Sequence, residues 1–248
     1  MQLTSSIYLV GSGKWGFGLT DTTDCNVYLI DTGDGFVLID SGCGIDQWRI
    51  GSIIQSHGFS LDRLRAVFLT HYHADHACGA KLFHELSGCR VFAPKAEAKA
   101  IAVGDEIATS LAGAKGHSYP LDYSYSACPC VEGMFDRQTM KIGSVTFRCI
   151  HVPGHSLCDM LLYAEIDGKN CLFSGDAIFD NGEILLQSLY DVSIKPYYDA
   201  LRGVSELPVD SLFPGHGLFC LSDAQWHIAK CLEGFESGLI PKQLHYFG

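Results

Sequence analysis

The residues best equipped for chemistry are His71-Tyr72-His73-Ala74-Asp75-His76, where four of six side chains can bind a metal. They follow an apolar run, Leu64 to Thr70, and precede a segment patterned like a helix, Ala77 to Leu86. An apolar run of that length reads as a buried strand, so the cluster lies at a strand's C-terminal end, where α/β folds keep their sites. Imidazoles two residues apart in extended chain point the same way. Asp75 and His76 follow as the chain turns into a helix, and can face the same point from the other side. Ligand-type side chains at that density predict a metal site.

Three further candidates occupy a shared context of apolar strand, small turn residues, then a ligand-type side chain. They are His155 in Val152-Pro-Gly-His-Ser156, Asp176 in Phe173-Ser-Gly-Asp-Ala177, and His216 in Phe213-Pro-Gly-His-Gly217. Pro and Gly there let the backbone turn sharply and present the side chain at a sheet edge. Seven candidates exceed the needs of one tetrahedral zinc, which takes four ligands, or three and a water when catalytic. They suit two metals, with three nitrogens on one, mixed ligands on the other, and a carboxylate between them. Two neighbouring cations need anionic bridges, which a carboxylate and a hydroxide supply. Imidazole and carboxylate without thiolate favour zinc, with iron or manganese as alternatives.

The elements that must position these residues can be read from the same sequence. Residues 7–10, 25–31 and 36–40 read as strands, the last two joined by the hairpin turn Gly33-Asp34-Gly35. Gly11 to Gly18 is glycine-rich but lacks the phosphate-loop spacing, and is expected to be a mobile loop. Ile45, Trp48, Ile53 and Ile54 fall at helical spacing on one face, and Ala80, Phe83 and Leu86 on another. A short strand is expected at 90–94 and an Ala-rich helix at 95–115. An aromatic-rich insertion at about 103–136, with Tyr119, Tyr123, Tyr125 and Phe135, reads equally as a pocket wall or lid and as a satellite core. Strands at 138–142 and 144–151 flank Gly143, and Met160–Ile166 and Cys171–Phe173 form a hairpin around Asp167-Gly168. A helix at about 196–206, a strand at 211–213, and a last helix opened by the capping box Ser222 to Gln225 complete the chain. That last helix is expected to bury Leu221, Ile228, Leu232 and Phe235.

The order hairpin, strand ending in Asp, helix, strand, His occurs twice: Asp40 then His71, and Asp176 then His216. This predicts an internally duplicated α/β (α+β) design, a sandwich of two β-sheets with helices outside, in one domain over 1–248.

The HxHxDH cluster, with the later Gly-His-Ser, Ser-Gly-Asp and Pro-Gly-His-Gly, resembles the metallo-β-lactamase superfamily in its hydrolase branch, over nearly the whole chain. The resemblance implies an αββα four-layer sandwich with the metals at one edge. It assigns His71, His73 and His155 to one metal, Asp75, His76 and His216 to the second, and Asp176 as the bridge. Asp40 matches a position that supports the ligand loops instead of binding metal. Asp176 is similar to glyoxalase II, lactonase and phosphodiesterase members, and Ala74 stands where flavo-diiron proteins carry a metal-binding Glu. The Gly-Cys-Gly-Arg element and the extra helical domain of glyoxalase II are missing, which argues against glutathione thioesters.

The expected activity is therefore hydrolysis of a small-molecule ester, lactone or thioester by a metal-bridging hydroxide. Asp75 would orient the nucleophile and pass a proton to the leaving group. A phosphodiesterase is one alternative, and a mononuclear iron oxygenase like the persulfide dioxygenases another. Tyr72 reads equally as lining the pocket or as packing. Tyr190, Tyr197 and Tyr198 are candidates for a substrate-polarising phenol, although Tyr197 and Tyr198 share a helical face with Leu201 and Val204. His151 is a candidate partner for a ligand.

Composition narrows the partners. A net charge of −11 with 17 scattered Lys and Arg argues against nucleic acid or anionic membrane. No apolar stretch approaches the roughly 20 residues that span a bilayer, and the N-terminus lacks a secretory pattern. Eleven dispersed cysteines without a CxxC pair read as reduced thiols in a cytoplasmic protein. Nothing in the sequence bears on oligomeric state.

Overall fold

The apolar segment beginning at Leu64 does form a buried strand, and it organises one of two sheets. The computed structural model describes residues 1–186 and 194–244. The chain divides into two units, Met1–Met134 with Ile142–Ser144, and Phe135–Lys141 with Val145–Gly248. Each unit holds a mixed sheet with flanking helices.

The first sheet runs β1 (Ile7–Gly11), β2 (Val27–Asp31), β3 (Phe36–Ile39), β4 (Leu64–Phe68), β5 (Arg90–Pro94) and β6 (Val131–Met134), each beside the next. The first three are antiparallel neighbours, and β3 through β6 are parallel. The β2–β3 turn is where the sequence puts it, with Gly33 and Gly35 at φ 76° and 98°. The parallel pairs need helical crossovers. These are α1 (Gln47–Ser56), then α2 (Ala74–Ala77) with α3 (Ala80–Ser87), then α4 (Ala98–Val103) with α5 (Leu111–Ala114). Leu29, Leu38, Val67, Leu69 and Val91 form the core with Ile50, Ile54, Phe83 and Ile101 from the helices. Each such fully buried apolar side chain contributes roughly 1.5–3 kcal/mol before chain entropy is subtracted.

Several local expectations are corrected. The inward face of α1 is Ile50 and Ile54, while Ile45 and Trp48 are 45% and 63% exposed; the helix starts only at Gln47, so Ile45 precedes it. On α3, Ala80 and Phe83 are buried but Leu86 is 39% exposed. The Ala-rich stretch 95–115 is two short helices, because Gly104 adopts the left-handed conformation (φ 68°) that stops α4. Residues 131–134 of the aromatic insertion are a sheet strand, pairing in parallel with β5. In the Gly11–Gly18 loop, whose mobility remains an expectation, the Ser12 hydroxyl donates to Asn26 at 2.7 Å and accepts the Phe17 amide at 2.7 Å.

The second sheet has the order β11 (Ser211–Pro214), β10 (Lys169–Gly175), β9 (Met160–Ile166), β8 (Val145–His151), β7 (Thr139–Ile142). Helices α6 (Ile194–Ser205) and α7 (Ala224–Glu236) pack Tyr197, Leu201, Val204, Ile228 and Cys231 into its core with Leu161, Leu172 and Leu212. Leu232 and Phe235 pack against that core only partly buried. The capping box is not formed. The N-cap of α7 is Asp223 at φ 60°, with no side-chain cap, and the Gln225 side chain is occupied by Ser205 O (2.8 Å) and the Val209 amide (3.2 Å).

The predicted repeat is present in the strand pairing. In each unit an antiparallel hairpin (β2–β3, β9–β10) leads to a strand whose parallel neighbour comes next in the sheet (β4, β11). Asp40 and Asp176 follow the second hairpin strand; His71 and His216 come just after the next one. Among the described residues no helix is long and apolar enough to cross a membrane, and all eleven cysteines are free.

The junction between α2 and α3 depends on a close backbone approach. A Cβ at Gly79 would meet the Ser41 carbonyl oxygen at 2.0 Å, although its φ of −77° suits any residue. Gly79→Ala is therefore expected to destabilise the protein by about 1–3 kcal/mol or more, read as a lower midpoint in urea denaturation.

Candidate metal centre

The first unit contributes the HxHxDH cluster. After β4 the chain bends at Thr70 and His71, is extended at His73 (φ −61°, ψ 147°), and then enters the single turn of α2. Tyr72 joins the hydrophobic core and packs there. The His71 and His73 rings meet edge-on with centroids 4.6 Å apart, and His76 lies 4.1 Å from His71. His71 Nε2 is 3.0 Å from His73 Nδ1, and His76 Nε2 is 3.6 Å from Asp75 Oδ2. All four side chains are buried.

Asp40 fixes this arrangement. It sits just past β3 at φ 61°, a left-handed conformation that Asp tolerates better than most residues. Its carboxylate accepts the Thr70 amide (2.8 Å) and the Thr70 hydroxyl (2.9 Å), and lies 2.8 Å from His76 Nδ1. With a carboxylate as acceptor, Nδ1 of the neutral ring carries the proton and Nε2 presents its lone pair. Ser41 adds a second hold, its amide and hydroxyl both donating to the His76 carbonyl at 2.8 and 2.7 Å. Cys25, Asp40 and His76 also offer donor atoms within 4.8 Å of one another. Burial raises the Cys25 thiol well above its ordinary range, so it stays protonated. Cys78 is likewise an inert buried thiol, pushed up to about 12 by burial.

Tyr119 reaches the cluster from the aromatic segment. It donates to Asp75 Oδ1 at 2.9 Å and accepts the Asp75 amide at 3.1 Å. Burial, with the Asp75 carboxylate beside it, holds this phenol well above its ordinary range, so it keeps the proton it donates. Tyr125 is buried in the core and Tyr119 and Tyr123 pack against it, while Phe135 is 56% exposed. The tyrosines thus pack on the main core of the first unit, with Tyr119 also touching Asp75.

The second unit brings His155, Asp176 and His216 together. Asp176 Oδ2 lies 3.5 Å from both His155 Nε2 and His216 Nε2, and all three side chains are buried. The His155 ring is oriented by the Leu185 carbonyl, 2.9 Å from Nδ1. A carbonyl only accepts, so Nδ1 bears the proton and Nε2 faces the carboxylate as an acceptor. The loop itself is held by Asp159, which accepts the His155 amide (3.0 Å), the Ser156 amide (2.8 Å) and the Ser156 hydroxyl (2.9 Å). Gly154 is required by space: a Cβ there would strike the Tyr197 ring at 2.2 Å. His216 follows β11 through Gly215, whose amide donates to Gly175 O at 2.7 Å.

Imidazole nitrogens and carboxylate oxygens, buried and aimed at one another at 3.5 Å, suit a shared cation, because acceptor atoms crowded out of water repel one another. The donor set fits divalent ions of the zinc type. Neither Asp159 nor the Tyr119–Asp75 contact is foreseen from sequence. Asp159 has only its spacing of four from His155 as a signal, and the Tyr119 contact spans 44 residues.

Other histidines and tyrosines make contacts of their own. His84 Nδ1 bonds the Cys89 carbonyl (2.7 Å), and His227 Nδ1 accepts the Asn181 amide (2.6 Å). The His151 backbone amide donates to Asp136 at 3.0 Å, a contact that leaves the role expected of its ring a proposal. The Tyr197 hydroxyl bonds the Ala177 carbonyl from within the core, and Tyr198 reaches Glu236. Tyr190 and His245 lie outside the described residues.

The sequence profile of the metallo-beta-lactamase superfamily matches residues 20–216. Among curated relatives, the atrochrysone carboxyl ACP thioesterase of Aspergillus fumigatus is 28% identical over 198 residues, 77% of this chain and 50% of that protein. The beta-lactamase-like protein 2 homolog of Drosophila melanogaster is 28% identical over 224 residues, 87% of this chain and 65% of that protein. The chain spans about half the length of the first of these. A solved metallo-beta-lactamase family protein from Thermus thermophilus aligns with a TM-score of 0.72 at 17% identity, over 95% of this chain and 81% of that one. A B3 metallo-beta-lactamase with an active-site glutamic acid gives 0.70 at 19% identity, over 94% and 86%. At these identities the structural likeness establishes the fold alone.

Asp40→Ala should leave the Thr70 amide and the His76 ring without their buried acceptor. The expected loss is roughly 2–4 kcal/mol of stability, measured by chemical denaturation, with Asp40→Asn recovering part of it through its remaining carbonyl oxygen.

Proposed function

The chain belongs to the metallo-β-lactamase superfamily, and we propose that it is a binuclear metal-dependent hydrolase of a small thioester, ester or lactone. His71, His73 and His155 would hold one ion, Asp75, His76 and His216 the other, with Asp176 shared. The observation that carries this reading is the Asp176 carboxylate 3.5 Å from two imidazole Nε2 atoms, one of them fixed as an acceptor. It is supported by the superfamily match, which spans all seven residues. Zinc is the favoured metal on ligand chemistry.

Divalent ions there would supply Lewis acidity, lowering the pKa of water toward neutrality and polarising the scissile carbonyl. The chain's own residues do the rest. Asp40 and the Leu185 carbonyl hold the His76 and His155 rings in the tautomer that presents Nε2. Asp75, its Oδ1 held by Tyr119, would orient the attacking water beside the metal and carry its proton to the departing thiol or alcohol. A thioester is favoured within the class because the Aspergillus relatives are named thioesterases. Acidic character overall, with a net charge of −11, suits a small substrate better than a nucleic acid.

Metal analysis of the purified protein, coupled to turnover of thioesters, lactones, esters and a chromogenic phosphodiester, tests this. Two equivalents of metal and turnover of a thioester, ester or lactone are expected. His71→Ala and Asp176→Ala should lose both metal and at least about 100-fold in activity, a loss of roughly 2.7 kcal/mol or more in transition-state stabilisation. Full metal and activity in either variant would overturn the assignment. Iron with oxygen consumption would replace it by an oxygenase, and preference for the phosphodiester by a phosphodiesterase.

A further inference from the structure

Three tyrosines from one short segment each hold a different point around the HxHxDH cluster. Tyr119 binds Asp75, Tyr123 donates to the Cys43 carbonyl at 2.5 Å, and Tyr125 donates to the Tyr72 carbonyl at 2.8 Å. The rings of Tyr119 and Tyr123 stack, with centroids 5.1 Å apart and planes within 15°. Tyr125, buried in the core, anchors the segment on the residue between His71 and His73. A buried phenol brings a polar tip on a rigid apolar body, so each ring sets a polar contact at a fixed reach.

We propose that residues 119–125 form a clamp on the ligand segment, and that Tyr119 is a positioning residue that sets the Asp75 carboxylate for metal binding. This rests on the metal reading given above.

The geometry at Tyr119 is specific to a hydroxyl. Its oxygen accepts the Asp75 amide and donates to Oδ1 of the same Asp75, so backbone and carboxylate of one residue close on a single atom. The terminal torsion of an Asp is broad, with two equivalent oxygens. Holding Oδ1 fixes the plane and leaves Oδ2 on the side of His76 Nε2, 3.6 Å away. Partners of this kind, one bond removed from the ion, ordinarily change metal affinity by about 10–100-fold when deleted. The tie to Cys43 made by Tyr123 touches no ligand side chain, so it shares the loop but not this role.

Full-length protein stripped of metal and titrated with zinc against a chromophoric chelator distinguishes these roles, with thermal unfolding followed in parallel. The wild-type chain should take two equivalents. Tyr119→Phe should weaken one equivalent by about 10–100-fold and leave the other unchanged; Tyr123→Phe should leave both unchanged. In an Asp75→Ala background Tyr119→Phe should have no further effect on zinc, since the two act as one unit. Wild-type affinities in Tyr119→Phe, an equal loss in Tyr123→Phe, or a further loss in the Asp75→Ala background would each overturn the clamp while leaving the metal reading intact. Fewer than two equivalents in the wild-type protein would overturn the binuclear reading itself.

Discussion

The first unit is organised around the acceptor capacity of one buried carboxylate. Asp40 gathers the Thr70 amide, the Thr70 hydroxyl and His76 Nδ1, and thereby joins the end of β3, the residues past β4 and the turn of α2. A carboxylate taken out of water costs several kcal/mol unless its lone pairs are used. Here three donors use them, and they also offset the left-handed backbone at Asp40, which costs an L-residue roughly 1–2 kcal/mol. The same contacts decide which nitrogen His76 presents and where the histidine-bearing segment lies relative to the strand before it. Ser41 and Gly79, which bring the next backbone stretch against His76 and α3, elaborate that junction.

The second unit reaches a comparable arrangement with the duplicated topology but different supports. Asp176 occupies the position after β10 that Asp40 occupies after β3, yet it faces two imidazoles where Asp40 faces a threonine and one imidazole. Orientation of His155 falls instead to a backbone carbonyl, and its loop to Asp159. One repeat thus uses its strand-end aspartate to hold a histidine ring, and in the proposed function that histidine is a ligand while the other repeat uses its aspartate as one. The β-strand pairing explains why both can do so. A hairpin followed by a parallel neighbour brings two strand C-termini side by side, and whatever follows them converges.

Residue type alone is a poor guide to role in this chain. His84 and His227 satisfy backbone groups at helix and turn junctions, and Tyr197 is a core side chain whose hydroxyl closes on a carbonyl. Gly154 stands beside His155 because the Tyr197 ring leaves no space for a side chain, not because the turn needs a left-handed residue.

Read alone, the order of amino acids specifies the two sheets, their repeated arrangement, and the candidate ligands. These rest on signals carried by neighbouring residues: apolar runs, the turns at Gly33 to Gly35 and Asp167-Gly168, and the dense HxHxDH segment. Local patterning misjudges what depends on partners elsewhere. The inward face of α1, the exposure of Leu86 and the diversion of Gln225 from capping are set by what those elements meet, which helical spacing does not specify. It takes the folded chain to bring Tyr119 onto Asp75, to turn Asp40 left-handed so that it holds Thr70 and His76, and to tie the His155 loop with Asp159. Hydrogen bonds act over about 3 Å regardless of separation along the chain, so residues 30 to 44 positions apart become partners without leaving any periodic trace in the sequence.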